Sequence, residues 1–121
     1  MYHGAQFDKP RRSYLWQPVF IRPALENFAL ITALSSRIND DFVAEAKFDL
    51  FSESGKIFSD TLRIKNQTSQ QIKLEDLIST TDYTPRNGEV LWCTIESECP
   101  YIGSTYLMVS KQGYIGGDHS Y

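Results

Sequence analysis

Residues 42–52 carry the clearest pattern in the chain, because apolar and polar side chains alternate along them. The apolar positions are Ala44, Ala46, Phe48 and Leu50, and the polar positions between them are Glu45, Lys47 and Asp49. Successive side chains of a strand point to opposite faces. A period of two therefore predicts a strand with one buried and one solvated face, which is typical of antiparallel sheets.

A hairpin is predicted where this strand ends. Ser52-Glu53-Ser54-Gly55 is a polar four-residue loop that finishes in glycine, and residues 56–65 return with Ile57, Phe58, Leu62 and Ile64. Further strands are predicted at 71–74, 89–97 and 105–110, and a last short one begins at Tyr114-Ile115 before the double glycine. Residues 75–78 fit one helical turn, and the longest surface loop is predicted at 79–88.

Residues 24–35 fit two structures. Apolar side chains occupy both faces of an extended segment, as in a central strand, but Leu25, Phe28, Ile31 and Leu34 also recur at near-helical spacing after Pro23. We favour the strand, because the polar residues 35–41 then connect it to the alternating strand. A helix remains the alternative.

Turn signals about every ten residues predict an all-β fold, an antiparallel β-sandwich of seven to eight short strands. Residues 1–23 contain Pro10, Pro18 and Pro23, and proline is confined to strand edges and interruptions. We expect an extended amino-terminal arm with edge strands over 1–23 and a single sandwich domain over 24–121.

Composition narrows the function classes. The chain has 121 residues, enough for one core, and its formal net charge of −3 disfavours nucleic-acid binding. No stretch resembles a signal peptide or a membrane span, so we expect a cytoplasmic protein with no membrane insertion. Cys93 and Cys99 form no close metal-binding pair, and Cys93 lies in an apolar run that predicts a buried thiol. No cofactor is expected.

Two long segments resemble a known family. The stretch FVAEAKFDLFSESGKIFSDTLRIKNQTSQQIKLEDL, followed by GEVLWCTIESECPYIGSTYLMVS, is similar to small bacterial β-sandwiches of the sensory rhodopsin transducer type. The likeness is one of strand order and spacing over about two-thirds of the chain, with Ser97-Glu98-Cys99-Pro100 at the break before the last long strand. It implies a non-catalytic interaction module, often a homo-oligomer, and implies no particular binding residue.

The carboxyl-terminal sequence Gly116-Gly117-Asp118-His119-Ser120 resembles the metal-site motif of arginase-like ureohydrolases. That family places the motif in a large α/β fold with further Asp and His ligands downstream, which an all-β pattern does not supply. His3, Asp118 and His119 are therefore the candidates for a metal site in an alternative interpretation, a small metal-dependent enzyme. The favoured role of Asp118 and His119 is a polar anchor at an interface.

Aromatic side chains supply the remaining signal, since rings with a polar group suit both protein hot spots and sugar rings. We predict Trp16, Tyr83 and Tyr101 as contact residues. The sequence favours a non-catalytic recognition or assembly module over an enzyme. Its expected partner is another protein or a second copy of the chain, with a carbohydrate as the alternative.

Overall fold

The computed structural model describes residues 13–35, 41–111 and, for their backbone, 115–119. These residues form eight strands and one short helix. The elements are β1 (Ser13–Phe20), β2 (Leu25–Ala33), β3 (Val43–Ser52), β4 (Gly55–Lys65), β5 (Thr68–Lys73), α1 (Leu74–Ser79), β6 (Val90–Ser97), β7 (Ile102–Ser110) and β8 (Ile115–His119).

The strands form two four-stranded sheets. The first sheet has the order β1-β6-β3-β4 and the second has the order β5-β2-β7-β8. Every neighbouring pair of strands is antiparallel. The predicted all-β, antiparallel sandwich-like fold is confirmed.

The core lies between the sheets and follows the predicted alternation. The predicted inward residues of β3 are fully buried, namely Ala44, Ala46, Phe48 and Leu50. Strands β2 and β6 contribute their own alternate residues to the same cluster. The central members are Ala29, Ile31, Ala33, Ala44, Ala46, Phe48, Leu50, Leu91, Cys93 and Ile95. Every second residue of these three central strands is therefore buried, and the two sheets share a single core.

Residues 25–33 form strand β2, and not the alternative helix. Its burial alternates, with Asn27, Ala29, Ile31 and Ala33 buried and the residues between them half-buried. β2 lies between β5 and β7, so both of its edges are paired. That central position explains why apolar residues occupy both faces.

The predicted hairpin β3–β4 is present with a tighter turn than expected. Ser52 pairs with Gly55, so only Glu53 and Ser54 form the turn. Gly55 has φ of +128°, a conformation that side-chain-bearing residues rarely adopt. The Ser54 N–H donates to the Ser52 hydroxyl at 3.2 Å and closes the turn.

Three elements have a boundary that differs from the prediction by three residues or more. β5 begins at Thr68 and β7 at Ile102, three residues before each predicted start. The prediction that the last strand precedes the double glycine is wrong, because β8 contains it: Gly116 pairs with Met108, and Gly117 with Leu107. Glycine is unfavourable in strands, but it keeps its backbone N–H and C=O groups. Gly116 and Gly117 can therefore still form the backbone hydrogen bonds that pair β8 with β7.

The outer strands of the first sheet are β1 and β4. β1 pairs with β6 over all eight of its residues and contains Pro18, and β4 exposes Lys56, Asp60, Arg63 and Lys65. The division into an arm over 1–23 and a domain over 24–121 stays a prediction. Among the described residues, no helix is long and apolar enough to cross a membrane.

Candidate functional site

The outer face of the first sheet carries two exposed tryptophans. Trp16 of β1 lies opposite Thr94 of β6, and Trp92 lies opposite Pro18, so the two rings are diagonal neighbours on adjacent strands. Their centroids are 5.3 Å apart, and the planes meet at 68° in an edge-to-face arrangement. Trp16 is 39% exposed and Trp92 45% exposed. Alternation explains the exposure, because their neighbours Gln17 and Cys93 point into the core.

Two more aromatic residues extend this surface along the same face. Tyr14 is two residues before Trp16 on β1 and is 60% exposed. Phe51 of β3 lies opposite Trp92 and is half-buried. We call Tyr14, Trp16, Phe51 and Trp92 the tryptophan face. It spans three adjacent strands, β1, β6 and β3.

Charged groups border the tryptophan face on the β3–β4 side. Lys56 places its ammonium 5.9 Å from the centroid of the Phe51 ring, within cation–π range. The Asp49 carboxylate lies 3.6 Å from the ammonium groups of both Lys47 and Lys56. Ser59 donates its hydroxyl to the other Asp49 oxygen at 2.5 Å. Asp49 is thereby satisfied although it is only 7% exposed.

A polar depression of about 580 Å³ adjoins these charges. Its walls come from β3, β4 and β6 and the residues after β6, and they include Glu45, Lys47, Asp60, Glu96 and Glu98. Arg63 pairs with Glu45 at 3.0 Å at the same sheet edge. Carboxylates outnumber cations in this lining, so the depression suits hydroxyl-bearing or cationic groups.

Tyr83 and Tyr101, the other predicted contact residues, pack against the core from separate connections. Tyr83 donates its hydroxyl to the Glu89 carboxylate. That bond raises the pKa of Tyr83 and lowers the pKa of Glu89. The Tyr101 ring lies 6.2 Å from that of Phe42. The structure therefore does not group either tyrosine with the tryptophan pair.

The polar pair at the carboxyl terminus lies on β8. Asp118 is opposite Tyr106 of β7, and His119 is opposite Thr105. The side chains of Asp118 and His119 lie outside the described residues, as does all of His3. Among the side chains that the structure does describe, no three metal-ligating groups come together. The anchor and metal-site hypotheses for these residues stay predictions.

Sequence reasoning missed three members of the tryptophan face, Tyr14, Phe51 and Trp92. Among them, Trp92 makes the ring contact with Trp16. It lies in the apolar run 90–95, where both faces of the strand appear buried. Strand alternation places Trp92 on the outer face of the sheet, and the pairing of β1 with β6 puts Trp16 next to it. The sequence did contain a signal for this exposure, because Trp92 lies between Leu91 and Cys93, which both point inward.

The comparisons with known proteins support the fold and do not indicate a function. No family model and no curated protein matches this chain. The crystal structure of Thermotoga maritima 1070 is similar, with a TM-score of 0.64 and 12% identity over 95% of this chain and 96% of that one. At this identity the likeness shows a shared fold alone, and the resemblance to sensory rhodopsin transducers stays a prediction.

Proposed function

We propose that the chain is a non-catalytic recognition and assembly module that docks a protein surface, either a partner's or that of a second copy, on its tryptophan face. The observation that carries the proposal is the edge-to-face contact of Trp16 and Trp92 on the outer side of a folded sheet. Tryptophan and tyrosine are enriched among the residues that dominate protein-interface energetics.

The arrangement of the rings supports a protein surface as the favoured ligand. Planes at 68° form a corner and not a flat platform, so an inserted side chain can contact the face of one ring and the edge of the other. The rings are also held before binding, because both stand on paired strands of one sheet. Preorganised aromatic side chains lose little conformational entropy on association.

The two tryptophans provide a direct assay, because they are the only two in the chain. All intrinsic tryptophan emission therefore comes from the tryptophan face. For self-association, we expect sedimentation to show a concentration-dependent oligomer and acrylamide quenching to fall as it forms. Trp92→Gln is expected to weaken association at least about thirtyfold, which corresponds to about 2 kcal/mol for an interface hot spot.

Leu34→Gln is the matched control, since Leu34 is 54% exposed in the connection after β2 and lies outside the tryptophan face. It is expected to leave association unchanged. For a partner protein, a photo-crosslinker placed at Tyr14 is expected to capture a defined partner, and Trp92→Gln to abolish capture. Association or capture that survives Trp92→Gln contradicts the proposal.

A carbohydrate is the second candidate ligand, favoured by the polar groups beside the rings. Next to Phe51, the Asp49 carboxylate is ion-paired with Lys56 and hydrogen-bonded to Ser59, and the polar depression continues from this cluster. Aromatic stacking beside hydrogen-bonding groups suits a sugar. The test is to titrate the protein with neutral oligosaccharides and record the tryptophan emission. A saturable shift that is lost in Trp16→Gln would identify a carbohydrate, and not a protein, as the ligand.

A further inference from the structure

A second groove lies away from the tryptophan face, between α1, the segment that follows it, and the connection from β1 to β2. Its volume is about 380 Å³. Ile78 of α1, Pro85 and the ring of Tyr83 supply apolar surface, while Arg22 and Glu75 supply charge. We call it the helix groove. An apolar concavity with a few fixed polar groups is the usual form of a small-molecule site.

The Glu75 carboxylate of the helix groove is already hydrogen-bonded within the protein. The Glu75 carboxylate accepts hydrogen bonds from the Asn27 backbone N–H at 2.9 and 3.1 Å and from the Asn27 side-chain amide at 2.7 Å. Asn27 is buried. Both Glu75 oxygens are therefore engaged by fixed donors, and this carboxylate has little capacity left for a ligand.

The positively charged residue of the helix groove, Arg22, has no comparable set of partners among the described residues. Arg22 is exposed, and its guanidinium Nη1 donates to the Ile21 carbonyl oxygen at 3.0 Å. Within residues 13–35 and 41–111, no carboxylate lies within ion-pair distance of it. The Ile21 carbonyl also accepts the Gly88 N–H at 2.8 Å, and this ties the arginine to the neighbouring turn. The helix groove thus presents one oriented guanidinium whose remaining donors point to no described anion.

We propose that the helix groove binds a small organic carboxylate with an apolar body. The carboxylate would pair with Arg22, whose planar fork matches carboxylate geometry, and the apolar body would contact Ile78, Tyr83 and Pro85. At about 30 Å³ for each water-sized group, the volume holds about a dozen non-hydrogen atoms. This site is separate from the proposed docking function and does not depend on it.

Phenylbutyrate has this size and chemistry and serves as the probe. We expect saturable shifts of the backbone amide signals of residues 75–88 in two-dimensional NMR spectra of the whole chain. Phenylbutanamide, which has the same shape without the charge, is expected to bind at least tenfold more weakly, because it lacks the negative charge and the second acceptor oxygen that pair with the guanidinium. Arg22→Gln is expected to reduce phenylbutyrate affinity by the same factor.

Two further variants separate the site from general effects. Arg86→Gln makes the same change in net charge at an exposed residue outside the groove lining, and it is expected to change affinity less than about twofold. Thr84→Trp fills the groove and is expected to abolish binding, with the spectrum elsewhere unchanged. Three results would each overturn the proposal: no saturable shift, equal affinity for the amide, or equal weakening by Arg86→Gln.

Discussion

Asn27 shows how one buried polar side chain connects separate elements. It is 2% exposed, yet its amide oxygen accepts the Phe20 N–H at 3.1 Å and its amide nitrogen donates to the Phe20 carbonyl at 2.8 Å. The same nitrogen donates to Glu75 of α1. The end of β1, the start of β2 and the helix are therefore held by one side chain whose polar atoms are satisfied.

Replacing Asn27 tests this role directly. Asn27→Ala removes three side-chain hydrogen bonds and leaves the half-buried backbone N–H and carbonyl of Phe20 without that partner, so we expect the free energy of unfolding to fall by about 3 kcal/mol. Urea denaturation followed by circular dichroism measures the change. Asn87→Ala, at an exposed loop position, is the control and is expected to cost less than about 0.5 kcal/mol. Equal effects of the two substitutions would contradict the connecting role.

The bond between Tyr83 and Glu89 predicts a dependence on pH. Hydrogen bonds from the Tyr83 hydroxyl and the Arg86 backbone hold the pKa of Glu89 below its usual value. A carboxyl with a lowered folded-state pKa stabilises the fold above its unfolded pKa, about 4.3, and this stabilisation is lost as pH falls through the folded-state value.

Tyr83→Phe removes the larger of these causes. We expect the variant to be less stable than the parent near neutral pH, and the difference to shrink as acid protonates Glu89. Urea unfolding at a series of pH values from 7 to 3 measures it. Tyr14→Phe, on an exposed tyrosine, is expected to match the parent throughout. A Tyr83→Phe deficit that stays constant with pH would show that the bond to the ionised carboxylate is not its cause.

At the scale of elements, prediction succeeded where the pattern is local. β3 and the return strand β4 follow from alternation and a glycine-terminated turn, and α1 from a short polar start before Leu77 and Ile78. The start of β7 was missed because Gly103 and Ser104 lie shortly after Pro100 and favour turns by themselves. Their strand conformation comes from pairing with β2, in which Gly103 lies opposite Thr32. Tertiary pairing overrides local preference there.

Two glycines with different backbone conformations give a test at this scale. Gly55 has φ of +128°, and a Cβ there would contact nothing within 4 Å, so Gly55→Ala is expected to cost about 1–3 kcal/mol through backbone strain alone. Gly116 lies in β8 at negative or extended φ, where a Cβ would meet Met108 at an ordinary 3.8 Å. Gly116→Ala is therefore expected to be neutral or slightly stabilising. Thermal unfolding of both variants measures the contrast, and a cost at Gly116 equal to that at Gly55 would contradict it.

At the scale of the whole molecule, the fold class was predictable and the surface was not. Alternation and turn spacing indicate how many strands there are and that two layers must cover each other. They do not say that β1 pairs with β6, a partner about 80 residues away in sequence, and this pairing brings Trp16 beside Trp92. Tyr83 and Tyr101 were predicted as contact residues, whereas the structure half-buries both against the core.

The two cysteines report on global unfolding, because both are buried in the core that the two sheets share. Cys93 and Cys99 are fully buried free thiols, and burial raises the pKa of each. Because the thiolate is the reactive form, we expect a chromogenic disulfide reagent to modify neither cysteine in the folded protein and both on unfolding in urea. Glu53→Cys in the exposed turn is the positive control and is expected to react at once. Rapid modification of Cys99 without urea would reveal local opening at the β6–β7 connection.

The two edges of the first sheet bear on how the protein behaves when it is crowded. Fibrils grow when a chain adds its backbone to an open strand, and Pro18 on β1 and the charged side chains of β4 both oppose that addition. The aromatic surface between these edges still favours contact. At high concentration we therefore expect this sheet to associate through its face, in reversible clusters that dissolve on dilution, and not by the irreversible stacking of strands into amyloid.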